Sequence, residues 1–313
     1  MTDRPSKDEA QARRMRRRFR KGVFIVPSLF TTANIFCGFF SVMESLAGVR
    51  GLSIGDVASA AEHFDRAAIN IGFAALFDFL DGRIARLTGA TSEFGLELDS
   101  IADVLSFGIA PALLAYSWGY GQVPGLHKLA WAASFMFVIC GALRLARFNV
   151  QARQTKPNLP PKNPKVDKKA FVGLPIPMAA SLIAAIAHFS PTPVAYASGF
   201  QVSAMGRAFV IDARAYSFAL LLLVVFLSFL MVSTLRYSSF KGVGARNYHP
   251  RMVILALALV VLLIWFYSQW SLLIIMTTYV LHGLVGKLWS LLKWRRSLST
   301  EHAPLELDEE RNI

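Results

Sequence analysis

Charge is unevenly spread along the chain, and its gaps outline the architecture. Seven stretches contain no Asp, Glu, Lys or Arg: 22–43, 67–77, 104–127, 129–143, 170–206, 215–235 and 252–286. A helix crosses roughly 30 Å of hydrocarbon in about 20 residues. The 252–286 stretch is too long for one crossing, and Tyr267-Ser268-Gln269-Trp270 reads as an interfacial turn between two short spans. The 67–77 stretch is too short alone; it reaches span length only by continuing through Asp78 and Asp81, which puts those carboxylates at its end. The pattern predicts eight helices, near 23–44, 67–88, 98–118, 127–146, 171–189, 215–235, 251–267 and 270–289. The fold class is all-α and polytopic in a membrane.

Composition supports this reading. Of the 313 residues, 54% are apolar and only 17% charged, and 24 are Phe; soluble domains carry about 25% charged residues. Disordered, collagenous and coiled-coil classes are excluded by the same values. The Phe side chains read as lipid-facing or core-filling. Two cysteines, Cys37 and Cys140, allow one bridge at most, and no CxxC or Cys/His cluster offers a structural zinc site. The six histidines are scattered without ligand spacing, and no internal repeat is visible.

The net charge of +13 bears on orientation. Eight spans put both termini on one side. On that assignment 28 of the 33 Lys and Arg residues fall in 1–22, 83–98, 144–170, 236–251 and 287–313; the others are Arg50, Arg66, Lys128, Arg207 and Arg214. This is the positive-inside asymmetry, and it places both termini and the 83–98 loop in the cytoplasm. The basic run from Arg13 to Lys21 precedes an apolar stretch, as in a signal peptide, and Ser45-Leu46-Ala47 resembles a cleavage site. That apolar stretch, however, exceeds the roughly 7–15 residues of a signal core. The basic run is therefore a topology anchor on anionic headgroups, not a nucleic-acid-binding arm. Residues 155–171 form a Pro- and Lys-rich cytoplasmic loop.

Acidic residues number only twenty, and one group stands out: Asp78, Asp81, Gly82, Ala85 and Arg86, followed by Gly95, Asp99 and Asp103. On helices, Asp78 and Asp81 share a face, as do Asp99 and Asp103. The 17 residues between Asp81 and Asp99 allow a reversal, so two antiparallel helices bring four carboxylates together at the cytoplasmic boundary. Ionised carboxylates in such a partly apolar place repel strongly unless cations sit among them. Hard oxygen donors select Mg²⁺ or Mn²⁺, and two such ions about 4 Å apart clamp a displacement at phosphorus. The plainer reading is a solvated helix end whose acids favour the helix dipole, but it explains neither the shared faces nor the glycines. Gly82 allows close approach to the backbone, Ala85 is small on the next turn, and Arg86 can pair with phosphate.

This pattern resembles the signature of the CDP-alcohol phosphatidyltransferase family, DxxDGxxAR followed by GxxxDxxxD, at all eight positions. The resemblance implies transfer of a phosphoalcohol group from a CDP-linked donor to an alcohol, with release of CMP. It implies that Asp78, Asp81, Asp99 and Asp103 hold two divalent cations and that Asp103 is also the general base. It further implies that Gly82, Ala85, Arg86, Ser92 and Gly95, with Thr31 and Asn34 on the first helix, contact CDP-diacylglycerol. Three more segments, Pro27–Gly38, Arg144–Asn149 with Gly173–Pro177, and Ser233–Lys241, resemble the serine-using phosphatidylserine synthase branch. That branch makes phosphatidylserine from CDP-diacylglycerol and L-serine.

Arg144 and Arg147 can bind the serine carboxylate or a lipid phosphate, or simply anchor a helix end. Asn149 and Ser239 contact the amino acid or cap a helix; Tyr237 and Lys241 contact it or anchor at the interface. Gly173–Pro177 reads as a break where a helix starts. Glycerol 3-phosphate, choline and inositol phosphate are the alternative acceptors, and a cation-coupled transporter is the alternative of another class, although it would be expected to show repeated halves. The chain then divides into a basic cytoplasmic segment at 1–22, a transmembrane catalytic domain at 23–290 and a cytoplasmic tail at 291–313. The resemblance also implies a homodimer, and the charge asymmetry puts its site on the cytoplasmic side of the cytoplasmic or inner membrane.

Overall fold

The computed structural model describes residues 7–88, 93–154, 171–196, 200–204, 207–233, 235–237 and 262–301. It contains α1 (Lys7–Ser53), α2 (Val57–Thr88), α3 (Glu93–Tyr120), α4 (His127–Gln154), α5 (Ile176–Phe189), α6 (Ala213–Val232) and α7 (Ser268–Glu301). Residues 262–266 are helical as well and end at Tyr267, the first residue of the predicted interfacial turn. Four short strands, β1 (Phe171–Val172), β2 (Phe200–Ala204), β3 (Arg207–Ile211) and β4 (Arg236–Tyr237), make two antiparallel ribbons, β1 with β4 and β2 with β3. They lie in connections between helices, and the fold is helical.

Six helical segments among the described residues are long and apolar enough to cross a bilayer: Ser28–Ser53, Glu93–Tyr120, His127–Gln151, Ile176–Tyr196, Ala213–Val232 and Ser268–Gly286. α2 has the length, 32 residues, but its charged positions interrupt the apolar run. The span predicted at 251–267 falls largely outside the described residues. Several helices run well beyond their predicted ends; α1 starts at Lys7 instead of residue 23, and α2 at Val57 instead of 67. A hydropathy pattern marks where a helix meets lipid, whereas the backbone hydrogen bonds continue through charged residues until a turn stops them.

The turn between α1 and α2 is such a stop. Gly55 adopts φ +79°, open to glycine at little cost. Asp56 then caps α2, its Oδ1 accepting a 3.0 Å hydrogen bond from the backbone N–H of Ser59. α1 and α2 pack closely over small residues, with Ala60, Ala67, Ala68 and Ala74 buried. Small residues let helix backbones approach where lipid offers no hydrophobic drive to association.

α3 lies in the middle and touches α1, α2, α4, α5 and α6. Its first turns are α-helical to Asp103; it then widens into π-helical turns at Val104–Ile109 and Ala115–Tyr120, on either side of the short α-helical Ala110–Leu114. Pro111 lies in that short piece and has no N–H to donate, which favours a local change of helical period. α3 also comes unusually close to α1. A Cβ on Gly38 would lie 2.2 Å from Ser106 Oγ and 2.7 Å from Ser106 Cα, so only glycine fits there.

Large apolar side chains face outward, as lipid requires: Phe36, Phe73, Phe79, Phe135 and Phe229 are each at least half exposed. Phe64, Phe107 and Phe137 fill the interior, so both expected uses of phenylalanine occur. Cys37 and Cys140 are free thiols. The Gly173–Pro177 segment is a helix-start break as read: Gly173 has φ +85°, and Pro175 is the N-cap of α5.

Far from the acidic group, three helices are joined by polar side chains. His188 of α5 is nearly buried; its Nδ1 lies 2.5 Å from Asp65 Oδ1 on α2, and its Nε2 lies 2.9 Å from Ser268 Oγ at the start of α7. Phe189 and Trp270 stack edge to face beside them, 4.7 Å between ring centroids. Asp65 precedes Asp78 by thirteen residues on the same helix, about 20 Å along its axis.

Candidate functional site

α2 and α3 bring the carboxylates together. One oxygen from each of Asp78, Asp99 and Asp103 lies within 4.8 Å of the others. Asp81 stands apart from that trio. Its side chain is 6% exposed, and its Oδ2 accepts a short hydrogen bond from Thr31 Oγ1 on α1. It remains within electrostatic reach of Asp78 and Asp99. The helical spacing thus holds as read for Asp99 and Asp103, while α1 takes a direct part in orienting Asp81.

Asp103 is almost fully buried, and its Oδ1 makes no hydrogen bond. A buried acceptor without a partner is costly, and three carboxylates so close repel one another at neutral pH. Both facts fit the site to a hard divalent cation: the donors are all oxygens, they converge, and one buried lone pair lacks any other partner.

α1 forms the next wall. Asn34 is fully buried, and neither its Nδ2 nor its Oδ1 makes a hydrogen bond. Its backbone carbonyl accepts a 3.0 Å bond from Ser106 Oγ, a contact that the Gly38 approach makes possible. Gly82 is exposed, and Ala85 and Gly95 are half-buried, on the α2 and α3 ends that flank the carboxylates. Arg83, between them, lies over the Phe79 ring at 5.7 Å.

α4 closes the far side and separates two residues that the sequence left equivalent. Arg144 is half-buried and faces Asp103 electrostatically, with Tyr279 of α7 also in its field; its Nε makes no hydrogen bond. Arg147 is exposed. One turn on, Asn149 Nδ2 donates a 2.8 Å hydrogen bond to Ser100 Oγ, the residue after Asp99. Ser92, Ser239 and Lys241 lie outside the described residues, as do the side chains of Arg86 and Tyr237.

Two residues at this site escaped the sequence reading. Ser100 is an ordinary helical serine in the sequence, and only its contact with α4 gives it meaning. Tyr279 lies 135 positions after Arg144, on a helix that shares no motif with it. No local pattern could have joined either pair.

The family model for CDP-alcohol phosphatidyltransferase matches residues 24–211. A CDP-diacylglycerol–serine O-phosphatidyltransferase of Helicobacter pylori is 30% identical over 272 residues, covering 87% of this chain and 94% of that protein. The enzyme of the same name from Bacillus subtilis is 30% identical over 223 residues, 71% of this chain and 94% of the relative. The one from Saccharomyces cerevisiae is 37% identical over 158 residues, about half of each chain.

Proposed function

The chain belongs to the CDP-alcohol phosphatidyltransferase family, and on that premise we propose that it transfers the phosphatidyl group of CDP-diacylglycerol to the hydroxyl of L-serine, giving phosphatidylserine and CMP. The observation that carries the chemistry is the meeting of Asp78, Asp99 and Asp103 within 4.8 Å. The serine acceptor rests on relatives that span nearly their whole length with this chain.

Asp78, Asp81, Asp99 and Asp103 would hold two divalent cations, Mg²⁺ or Mn²⁺. When bound, such ions neutralise charge on the donor's diphosphate and on the departing CMP. The protein's own groups do the rest. Asp103 takes the proton of the attacking hydroxyl with the carboxylate oxygen that a cation leaves free. The serine oxygen then bonds to the phosphorus of the phosphatidyl group as the bond to CMP breaks, with no covalent enzyme intermediate. Thr31 fixes the orientation of the Asp81 carboxylate through its hydrogen bond. Asn34, Gly82, Ala85, Arg86, Ser92 and Gly95 contact the donor, and Arg144 holds the serine carboxylate beside Asp103. Arg147, Tyr237, Ser239 and Lys241 complete the acceptor side, with Arg147 at its exposed rim.

The multi-pass arrangement is proposed as eight spans with both termini and the site on the cytoplasmic side of the cytoplasmic or inner membrane. The 1–22 segment and the 291–313 tail flank the catalytic domain at 23–290, and two chains form a homodimer. The excess of basic residues in the assigned inside segments supports the orientation. Fusions of cytoplasm-specific and periplasm-specific reporters to each end test it; a periplasmic signal at either end would overturn it.

The activity is tested by CMP release from purified protein given CDP-diacylglycerol, Mg²⁺ or Mn²⁺, and serine, glycerol 3-phosphate, choline or inositol phosphate in turn. Serine-dependent release that is lost in Asp103→Asn is the expected result. Release with a different acceptor alone would overturn the serine assignment, and none with any acceptor would overturn the transferase reading.

A further inference from the structure

The contact between α3 and α4 fixes more than a distance. Ser100 Oγ donates its proton to the backbone carbonyl of Leu96 at 2.9 Å and accepts from Asn149 Nδ2 at 2.8 Å. A hydroxyl has one proton to give. With that proton committed to Leu96, Ser100 can only accept from Asn149, so the amide group must present its NH₂ end. The carboxamide is planar, and its carbonyl oxygen is thereby turned to the opposite side. Reversing the amide would set two acceptors against each other or cost Ser100 its bond to Leu96.

The position of this pair matters. Ser100 is one residue past Asp99 and three before Asp103, on the flank of the α3 carboxylate face that looks toward α4. From the same helix, Arg144 meets Asp103 electrostatically. α4 therefore offers a cationic group and, five residues on, an amide oxygen of fixed direction. We infer that Ser100 is a positioning residue that fixes the Asn149 carbonyl oxygen to accept a hydrogen bond from the ammonium of the acceptor, an inference that rests on the proposed serine chemistry.

This assigns the two charged ends of an amino acid to different groups: the carboxylate to Arg144 and the ammonium to Asn149. An acceptor with no hydrogen-bond donor at that place would leave the half-buried Asn149 oxygen without a ligand partner on binding and bind more weakly for it. Glycerol 3-phosphate and inositol phosphate have no ammonium, and choline has one without N–H. The Ser100–Asn149 pair thus gives choline no donor to pair with, and offers glycerol 3-phosphate and inositol phosphate only a neutral hydroxyl where serine supplies a charged one, a weaker bond.

The test uses the full-length protein in detergent or lipid nanodiscs, with Ser100→Ala and Ser100→Thr compared with the wild type. Losing the anchor of one hydrogen bond to a charged group is expected to raise the KM for serine about tenfold. The kcat and the KM for CDP-diacylglycerol should stay within about twofold. Ser100→Thr keeps the hydroxyl and should restore the serine KM. A competitor lacking the amino group, 3-hydroxypropionate, should inhibit the wild type and Ser100→Ala equally, because its carboxylate contact is untouched.

An unchanged serine KM in Ser100→Ala would overturn the inference. So would an equal rise for CDP-diacylglycerol or 3-hydroxypropionate, which would make Ser100 a packing residue. If the alanine variant is not recovered folded, Ser100→Cys, close in volume and a weak acceptor, takes its place under the same criteria. Wild-type activity with an acceptor other than serine is a separate outcome; it sinks the serine reading itself before any variant is compared.

Discussion

The hydroxyl of Thr31 on α1 donates to the carboxylate of Asp81 on α2, fifty residues away, and so ties a helix outside the acidic motif to one of its aspartates. Removing that bond while keeping the shape should loosen metal binding without touching the acceptor. Partners that orient a metal ligand typically contribute about 10–100-fold to affinity. Thr31→Val is expected to raise the Mn²⁺ concentration for half-maximal CMP release at least about tenfold and to leave the serine KM unchanged. An unaltered metal requirement would mean that the bond orients nothing of consequence.

Crowding of Asp78, Asp99 and Asp103 also makes a claim about stability. Without cations the cluster repels itself, so neutralising one member should stabilise the metal-free protein while removing its response to metal. In thermal unfolding in detergent with chelator, Asp99→Asn is expected to melt above the wild type. Addition of Mg²⁺ or Mn²⁺ should raise the wild-type Tm; a ligand at one hundred times its Kd contributes about 2.7 kcal/mol. The variant should show little of that rise. A wild-type Tm that ignores both ions would argue against a metal site.

Gly38 and Gly72 form a matched pair for testing helix approach. An alanine at 38 would place its Cβ 2.2 Å from Ser106 Oγ, whereas nothing lies within 4 Å of the equivalent atom at 72. Gly38→Ala is expected to cost about 1–3 kcal/mol of stability and most of the activity, because α1 carries Thr31 and Asn34. Gly72→Ala should be neutral or slightly stabilising, since glycine is a poor helix former. Similar melting of the two variants would contradict the close packing of α1 on α3.

The linkage of Asp65, His188 and Ser268 fastens α7 to α2 and α5. Replacing His188 by Ala leaves Asp65 without its partner in a half-buried place, at a cost of about 1–3 kcal/mol. A lower Tm is expected, with the metal-dependent rise intact because the site lies about 20 Å along α2. Loss of the metal response as well would show that this end of the bundle sets the geometry of the other.

Much of this protein can be read from its sequence because the signals are local. Charge-free stretches mark most of the crossings. The three- and four-residue spacings place Asp78 with Asp81 and Asp99 with Asp103 on helix faces, and the structure brings three of the four together. Element ends were less legible. α1 and α2 continue far past the apolar runs, since hydrogen bonding along a helix does not stop at a charge.

Equivalence in sequence also proved misleading for Arg144 and Arg147: three positions apart, one faces Asp103 and the other is exposed.

The sequence by itself determined the membrane class and the acidic motif, and with them the transferase chemistry that the motif implies. All of these rest on hydropathy and on spacings within one or two helices. The tertiary structure alone decided which groups meet across helices: Thr31 with Asp81, Ser106 with Asn34, Asn149 with Ser100, and His188 with Asp65 and Ser268. The reason is that a spacing rule fixes a side chain's direction on its own helix but not the rotation, depth or neighbour of the helix it must meet. Those are set by packing, here by the absence of a side chain at Gly38 and by the small residues between α1 and α2.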